Sequence, residues 1–194
     1  MNKTARITLA ALGVGVVLMT TNAIAWPDLG FKAQQGQRPD IEVAFSPYEG
    51  AERLIVDVIN SSVKSVRLAA YSFTSPPIVK ALVDARKRGV DVQVIVDYDN
   101  NIGMKSGAAK AALNLLVNNQ IPVKLITAYA MHHDKYIVVD DKTVETGSFN
   151  YSKAAQNKNS ENILVLWNRP DISRQYIAHW QDRFNGGSVY QSSY

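Results

Sequence analysis

The stretch SVRLAAYSFTSPPIVKALVDARKRGVDVQVIVD, residues 65–97, contains strand, helix and strand in immediate succession. Residues 65–73 are a short apolar-rich run and read as a strand. Pro76-Pro77 then opens a helix, since proline's missing N–H is no loss in a first turn. Ile78, Leu82 and Ala85 supply the helix's apolar stripe, and Gly89 closes it. Arg86-Lys87-Arg88 sets cations at the negative end of the helix dipole just before that glycine, so the run is not counted as a ligand footprint. Residues 90–96 form the second strand. Strand, helix and strand at this spacing make a βαβ unit, whose strands run parallel.

The same rhythm extends in both directions. Residues 41–45 alternate as a strand, and Ala51, Leu54, Ile55, Val58 and Ile59 fall on one face of a helix. Downstream come a polar, glycine-containing loop at 97–107, an Ala/Leu-rich helix at 108–119 and a strand at 123–126. After Tyr129 the pattern changes. Residues 135–139 and 143–145, split by Asp140-Asp141-Lys142, read as a hairpin, 163–167 as one more strand, and 171–184 as a last helix burying Tyr176, Ile177, Trp180 and Phe184. No repeat or composition break divides the chain. The expected fold is a single α/β domain over residues 41–194, with a mixed, largely parallel sheet covered by helices on both faces.

The 194 residues contain no cysteine, which excludes disulfide scaffolds, thiolate metal sites and thiol catalysis. With 46% apolar and 20% charged residues the chain has the composition of a folded domain. Its first 25 residues are a separate matter. Lys3 and Arg6 precede the apolar run 7–18, and Ala23-Ile24-Ala25 follows, the layout of a secretory signal peptide with cleavage after Ala25. Twelve apolar residues are too few for a span of about 20. Cleavage would leave 19 basic against 17 acidic residues, an excess that permits a polyanionic partner without demanding one. A periplasmic or secreted location follows, with no stable membrane association once the signal is gone. Residues 26–40, rich in Gln, Gly and Pro, read as an extended arm.

Chemistry concentrates in His132-His133-Asp134-Lys135, Gly147-Ser148-Phe149-Asn150 and Asn159-Ser160-Glu161-Asn162. In extended chain His133 and Lys135 share a face while His132 and Asp134 point away. An imidazole beside an ammonium suits a phosphate: the cation neutralises an oxygen, and the ring nitrogen attacks phosphorus or protonates a leaving group. Ser148 and Asn150 share parity beyond a glycine that could let the backbone approach a ligand, and their donors could complete an anion cradle. Glu161 offers the carboxylate that a nucleophilic imidazole needs on its other nitrogen. Asp140 stands apart, since seven residues of straight strand carry it ~23 Å from His133. That distance assigns it to orienting the hairpin or a neighbour.

The spaced set H-x-K-x4-D-x6-G-S-x-N resembles the signature of the phospholipase D superfamily. The family's His, Lys and Asp fall on His133, Lys135 and Asp140, its Gly-Ser and Asn on Gly147, Ser148 and Asn150, and its later Glu, which bonds the histidine, on Glu161. On that resemblance the catalytic set is His133, Lys135, Asp140 and Glu161, with Lys135, Ser148 and Asn150 holding phosphate. The motif occurs once. Neither His132 nor His179 starts a second copy, and His179 reads as structural or solvated. The chain therefore resembles the small bacterial nucleases of the superfamily, which complete the site as homodimers.

The resemblance implies a phosphohistidine mechanism at a two-fold axis, needing no metal and no cofactor. Asp97 with Asp99, or Asp140 with Asp141, is the weaker alternative of a carboxylate metal cluster. Nucleic acid is the expected partner, DNA first and RNA left open, with Lys105, Lys110, Lys153 and Lys158 as scattered basic contacts. The alternatives are a phospholipase D releasing lipid head groups and a non-enzymatic nucleic-acid-binding module.

Overall fold

The computed structural model describes residues 39–104 and 106–192; the expected signal peptide, most of the expected arm and Lys105 lie outside them. Strand β1 (Ile41–Ser46) and helix α1 (Ala51–Asn60) come first. The βαβ unit follows as β2 (Ser65–Ala70), α2 (Pro76–Lys87) and β3 (Asp91–Asp97), its strands paired in parallel from Ser65 opposite Asp91 to Ala70 opposite Val96. The prolines open α2 as expected, and Ser75 caps it by accepting from the Ile78 amide. Gly89, at φ +91°, turns the chain into β3.

A five-residue π turn (Asp99–Gly103) interrupts the expected loop, followed by α3 (Gly107–Asn118) and β4 (Val123–Ile126). The hairpin is β5 (Lys135–Val139) with β6 (Thr143–Gly147). A short α4 (Lys153–Asn157), β7 (Glu161–Leu166), α5 (Pro170–Gly186) and a two-residue β8 (Ser188–Val189) complete the chain.

The eight strands form one sheet in the order β1-β7-β6-β5-β2-β3-β4-β8. The sheet is mixed, as expected, but parallel pairing is confined to β2, β3 and β4, and the other pairs are antiparallel. The crossovers that hold α2 and α3 return the chain to an adjacent strand in the same direction, whereas the turn between β5 and β6 is too short for a crossover and reverses it.

Layers lie on both faces. Helices α1, α2 and α3 pack on one, with Ile55, Leu82 and Leu113 fully buried against Leu68, Val94 and Ile137. Helix α5 covers the other through Trp180, which is fully buried against Ala69, Ile95 and Val138, stacks on Phe184 and donates from Nε1 to the Leu68 carbonyl at 3.0 Å. Tyr176, Ile177 and Phe184 are only partly buried around it. Helix α5 lies over β2, β4, β5 and β6. On that side of β1 a row of apolar side chains stays exposed: Ile41 by 54%, Val43 by 60% and Phe45 by 48%.

Arg88 corrects the reading of the basic run. It reaches from the end of α2 to carbonyls of Ile59 and Asn60 at the end of α1, so it tethers the neighbouring helix.

Candidate active site

The parallel strands β2 and β3 finish at the end of the sheet where β5 and β7 begin. Ala70 lies opposite Lys135, and Gly147 opposite Ile163. His133, Lys135, Ser148 and Glu161 are thereby brought to a single edge, where the loops of α/β sheets hold their ligands.

Two buried side chains fix that edge. Asp97, 3% exposed at the end of β3, accepts the His132 amide at 2.8 Å and the Asn100 amide at 2.7 Å. Asn101, fully buried in the π turn, donates to the carbonyls of Tyr71 and Asp97 at 2.7 Å each and accepts the Phe73 amide at 3.0 Å. The ends of β2 and β3 and the approach to β5 are thus tied together. Tyr71 is held with its ring centroid 4.4 Å from that of His133 and 5.2 Å from the Lys135 ammonium.

His133 is exposed, just before β5. Lys135 Nζ lies 3.2 Å from its Nδ1 and donates to its carbonyl at 2.9 Å. Burial lowers the lysine's pKa below the usual range, against an opposing pull from the charges of Asp134 and Glu161. The pair is an exposed imidazole with a cation fixed beside one nitrogen, which leaves the other nitrogen for a substrate.

Glu161 is close enough for its charge to act on Lys135, but it does not bond His133. Its two oxygens accept from Ser148 Oγ at 2.6 Å and Asn159 Nδ2 at 3.0 Å. Ser148 Oγ in turn accepts from the Asn162 amide at 3.1 Å, so within one chain its hydroxyl is committed to β7. Asn150 lies close by in sequence, half-buried, with Oδ1 buried and unpartnered. Gly147 is required for a different reason from ligand approach. A Cβ there would sit 2.1 Å from the Asn162 carbonyl oxygen, so the glycine lets β6 close on β7.

Asp140 corrects the catalytic set. It sits at the opposite end of β5, at φ +53°, and its carboxylate accepts the backbone amides of Val63 at 3.1 Å, Lys64 at 2.7 Å and Ser65 at 2.9 Å. It fastens the α1–β2 turn to the hairpin and cannot touch a group at His133. Asp140→Ala is expected to lower unfolding free energy by about 2 kcal/mol, from lost charge-assisted bonds. Turnover per folded molecule should stay within about two-fold of the parent. Urea unfolding paired with rate measurement checks this, and a ten-fold loss of turnover would return Asp140 to the chemistry. Neither imagined carboxylate cluster forms: Asp97 is committed to amides, as is Asp140.

Sequence reasoning missed a second group behind His133. Asp134 faces α5, where its Oδ2 lies 3.0 Å from His179 Nε2 and 3.5 Å from His132 Nδ1. His132 is 3% exposed, and burial lowers its pKa below the usual imidazole value. Strand parity signals that Asp134 points away from Lys135, but nothing in the sequence links it to a helix 45 residues on. A cleft of about 420 Å³ runs from His133 and Lys135 past Asp134 and Tyr136 to Gln175, Tyr176 and His179.

Residues 55–185 match the family described as "Cardiolipin synthase, PLD-like domain". The structure is similar to that of a phospholipase D family member, Nuc from Salmonella typhimurium, at 46% identity and a TM-score of 0.77, covering 80% of this chain and 100% of that one. It also resembles NucT from Helicobacter pylori, at 25% identity and a TM-score of 0.65, covering 77% of this chain and 99% of that one. A protein named phospholipase D from Rickettsia bellii is 31% identical over 153 residues, 79% of this chain and 73% of the relative. Family match, fold and the His133–Lys135 pair agree, and the chain belongs to the phospholipase D superfamily of phosphodiesterases.

Proposed function

We propose that the protein is a metal-independent endonuclease that hydrolyses DNA without sequence preference through a phosphohistidine formed at a homodimer interface. The observation that carries this reading is the Lys135 ammonium held 3.2 Å from Nδ1 of an exposed His133. The nitrogen turned away from Lys135 attacks phosphorus, Lys135 neutralises a non-bridging oxygen, and the P–O bond to the leaving group breaks as the P–N bond forms. In-line displacement puts the leaving oxygen on the far side, beyond reach of the same ring. A second protomer's imidazole protonates it, then takes a proton from the water that cleaves the P–N bond and releases phosphate monoester.

Two features support the dimer. Within one chain Glu161 is turned to Ser148 and Asn159, so His133 has no carboxylate on its ring. The exposed row Ile41, Val43 and Phe45 lies on the strand paired with β7, with Phe45 opposite Asn162 and Ser46 opposite Glu161, so an apolar face adjoins the site. Rearrangement on pairing frees Ser148 and Asn150 to join Lys135 on the phosphate. The reading includes export, with residues 1–25 removed, 26–40 as an arm and 41–194 as the catalytic domain, acting in the periplasm or outside the cell. Exposed Lys110, Lys153 and Lys158 supply backbone contacts, which makes binding salt-dependent.

The second reading, phospholipase D, is favoured by the name of the rickettsial relatives. The test is parallel incubation with supercoiled plasmid and phosphatidylcholine vesicles in EDTA, with gel filtration of the same sample. Nicked plasmid from a dimer is expected. Turnover of vesicles alone, a requirement for magnesium, or a fully active monomer would each reject the proposal.

A further inference from the structure

We propose that the cleft between β5 and α5 beside His133 is a nucleobase subsite, which makes an unstacked single strand the preferred substrate; this rests on the nuclease reading above. The cleft's volume of about 420 Å³ lies within the range of small-ligand sites. It is continuous with the reacting pair, since His133 and Lys135 line its mouth. Its walls are aromatic. Tyr176 is braced edge-on against Tyr136 at 4.9 Å, and the His179 ring lies 6.1 Å from Tyr136.

The charges within favour a neutral ring. Asp134 is the one carboxylate lining the cleft, and it is engaged by His179 and His132. The one lysine or arginine lining it is Lys135, already assigned to the scissile phosphate, so a second phosphate would find no partner there.

A smaller cleft of about 170 Å³ shares His133, Asp134 and His179. It adds exposed Tyr129 and Met131, with the Arg183 guanidinium 4.8 Å over the Tyr129 ring. A strand laid across His133 would therefore meet aromatic rings in both clefts that His133 lines. Paired and stacked bases have both faces covered, so a base enters such a cleft only from single-stranded substrate.

The intact protein is tested on a single-stranded thymidine oligonucleotide, on the same backbone with abasic sites, on the duplex, and on phosphatidylethanolamine vesicles. The parent should cleave the thymidine strand about ten-fold better in kcat/KM than the abasic strand, the size of one base–aromatic stack, and better than the duplex. In Tyr176→Ala the thymidine-to-abasic ratio should fall towards one, and in Tyr176→Phe it should persist. Equal cleavage of both oligonucleotides by the parent overturns the subsite and leaves the nuclease reading standing. So does a Tyr176→Ala protein that keeps the full ratio. If Tyr176→Ala does not fold, the parent's ratio and that of Tyr176→Phe decide. Turnover of vesicles with neither oligonucleotide cleaved rejects the nuclease reading, and the subsite with it.

Discussion

His133→Asn is expected to lower phosphodiester hydrolysis by about 10⁴-fold or more while leaving the fold intact. The proposed reaction needs a ring nitrogen twice, once to form the P–N bond and once, in the paired protomer, to protonate the leaving oxygen. An amide does neither. The fold should tolerate the change because the imidazole is exposed and, among the described residues, its ring interactions are those with Tyr71 and Lys135. The anchor of Lys135 survives, since Nζ donates to the carbonyl of residue 133, which any side chain leaves in place. Initial rates on plasmid in EDTA, with a thermal melt of the same sample, are the measurement. A variant that keeps a tenth of the parent rate would remove His133 from the chemistry.

The second large effect concerns stability under alkaline conditions. Glu145 on β6 is fully buried, its carboxyl accepts from the Tyr151 hydroxyl at 2.9 Å, and burial pushes its pKa up to about 8. In the unfolded chain the group titrates near 4.5. The folded state therefore keeps a proton that the unfolded state gives up, and stability falls as pH rises between those two values. Below 4.5 the contribution is fully present; above about 8 it is lost. Each pH step of one across that window removes about 1.4 kcal/mol, so the whole loss is on the order of 5 kcal/mol. Glu145→Gln keeps the shape and removes the titration, so the variant should match the parent at pH 4.5 and exceed it by several kcal/mol at pH 8.5. Urea unfolding of both proteins at both pH values gives the comparison, and parallel pH slopes would contradict the assignment. Because Tyr151 lies next to Asn150 and its carbonyl accepts the amides of Thr74 and Ser75, the pair also anchors the segment that carries Ser148.

Local patterns in the sequence carried the elements further than they carried their neighbours. The βαβ unit was legible from Pro76-Pro77 and Gly89, which act within a few residues, and the hairpin from Asp140-Asp141-Lys142. Periodicity reports which face of a strand is buried but not what lies beside it. The expectation of a largely parallel sheet failed for that reason: β5 enters antiparallel next to β2, and residues 135–139 look the same in either direction. Helix α4 and strand β8 are too short to impose a period. In the site, the meeting of His133 and Lys135 follows from their i, i+2 spacing. The amide clamps of Asp97, Asn101 and Asp140 are contacts between segments distant in sequence, and a polar residue in a loop gives no sign of the backbone it will hold. Glu161 was expected on His133 and is found on Ser148, a choice between two acceptable partners that residue type does not make.

The close approach at Gly147 has a wider reach than its own strand. Outermost β1 pairs with β7 alone, and β7 pairs inward with β6 alone, so one seam of backbone joins both to the rest of the sheet, with α1 packed across all three strands. That seam begins where the Asn162 carbonyl takes the space a methyl group would need. Glu161 and the bare apolar row on β1 therefore travel together. A wedge driven in at this position would unship the acidic residue and the self-association surface in one movement, leaving the βαβ half of the molecule as a scaffold with neither.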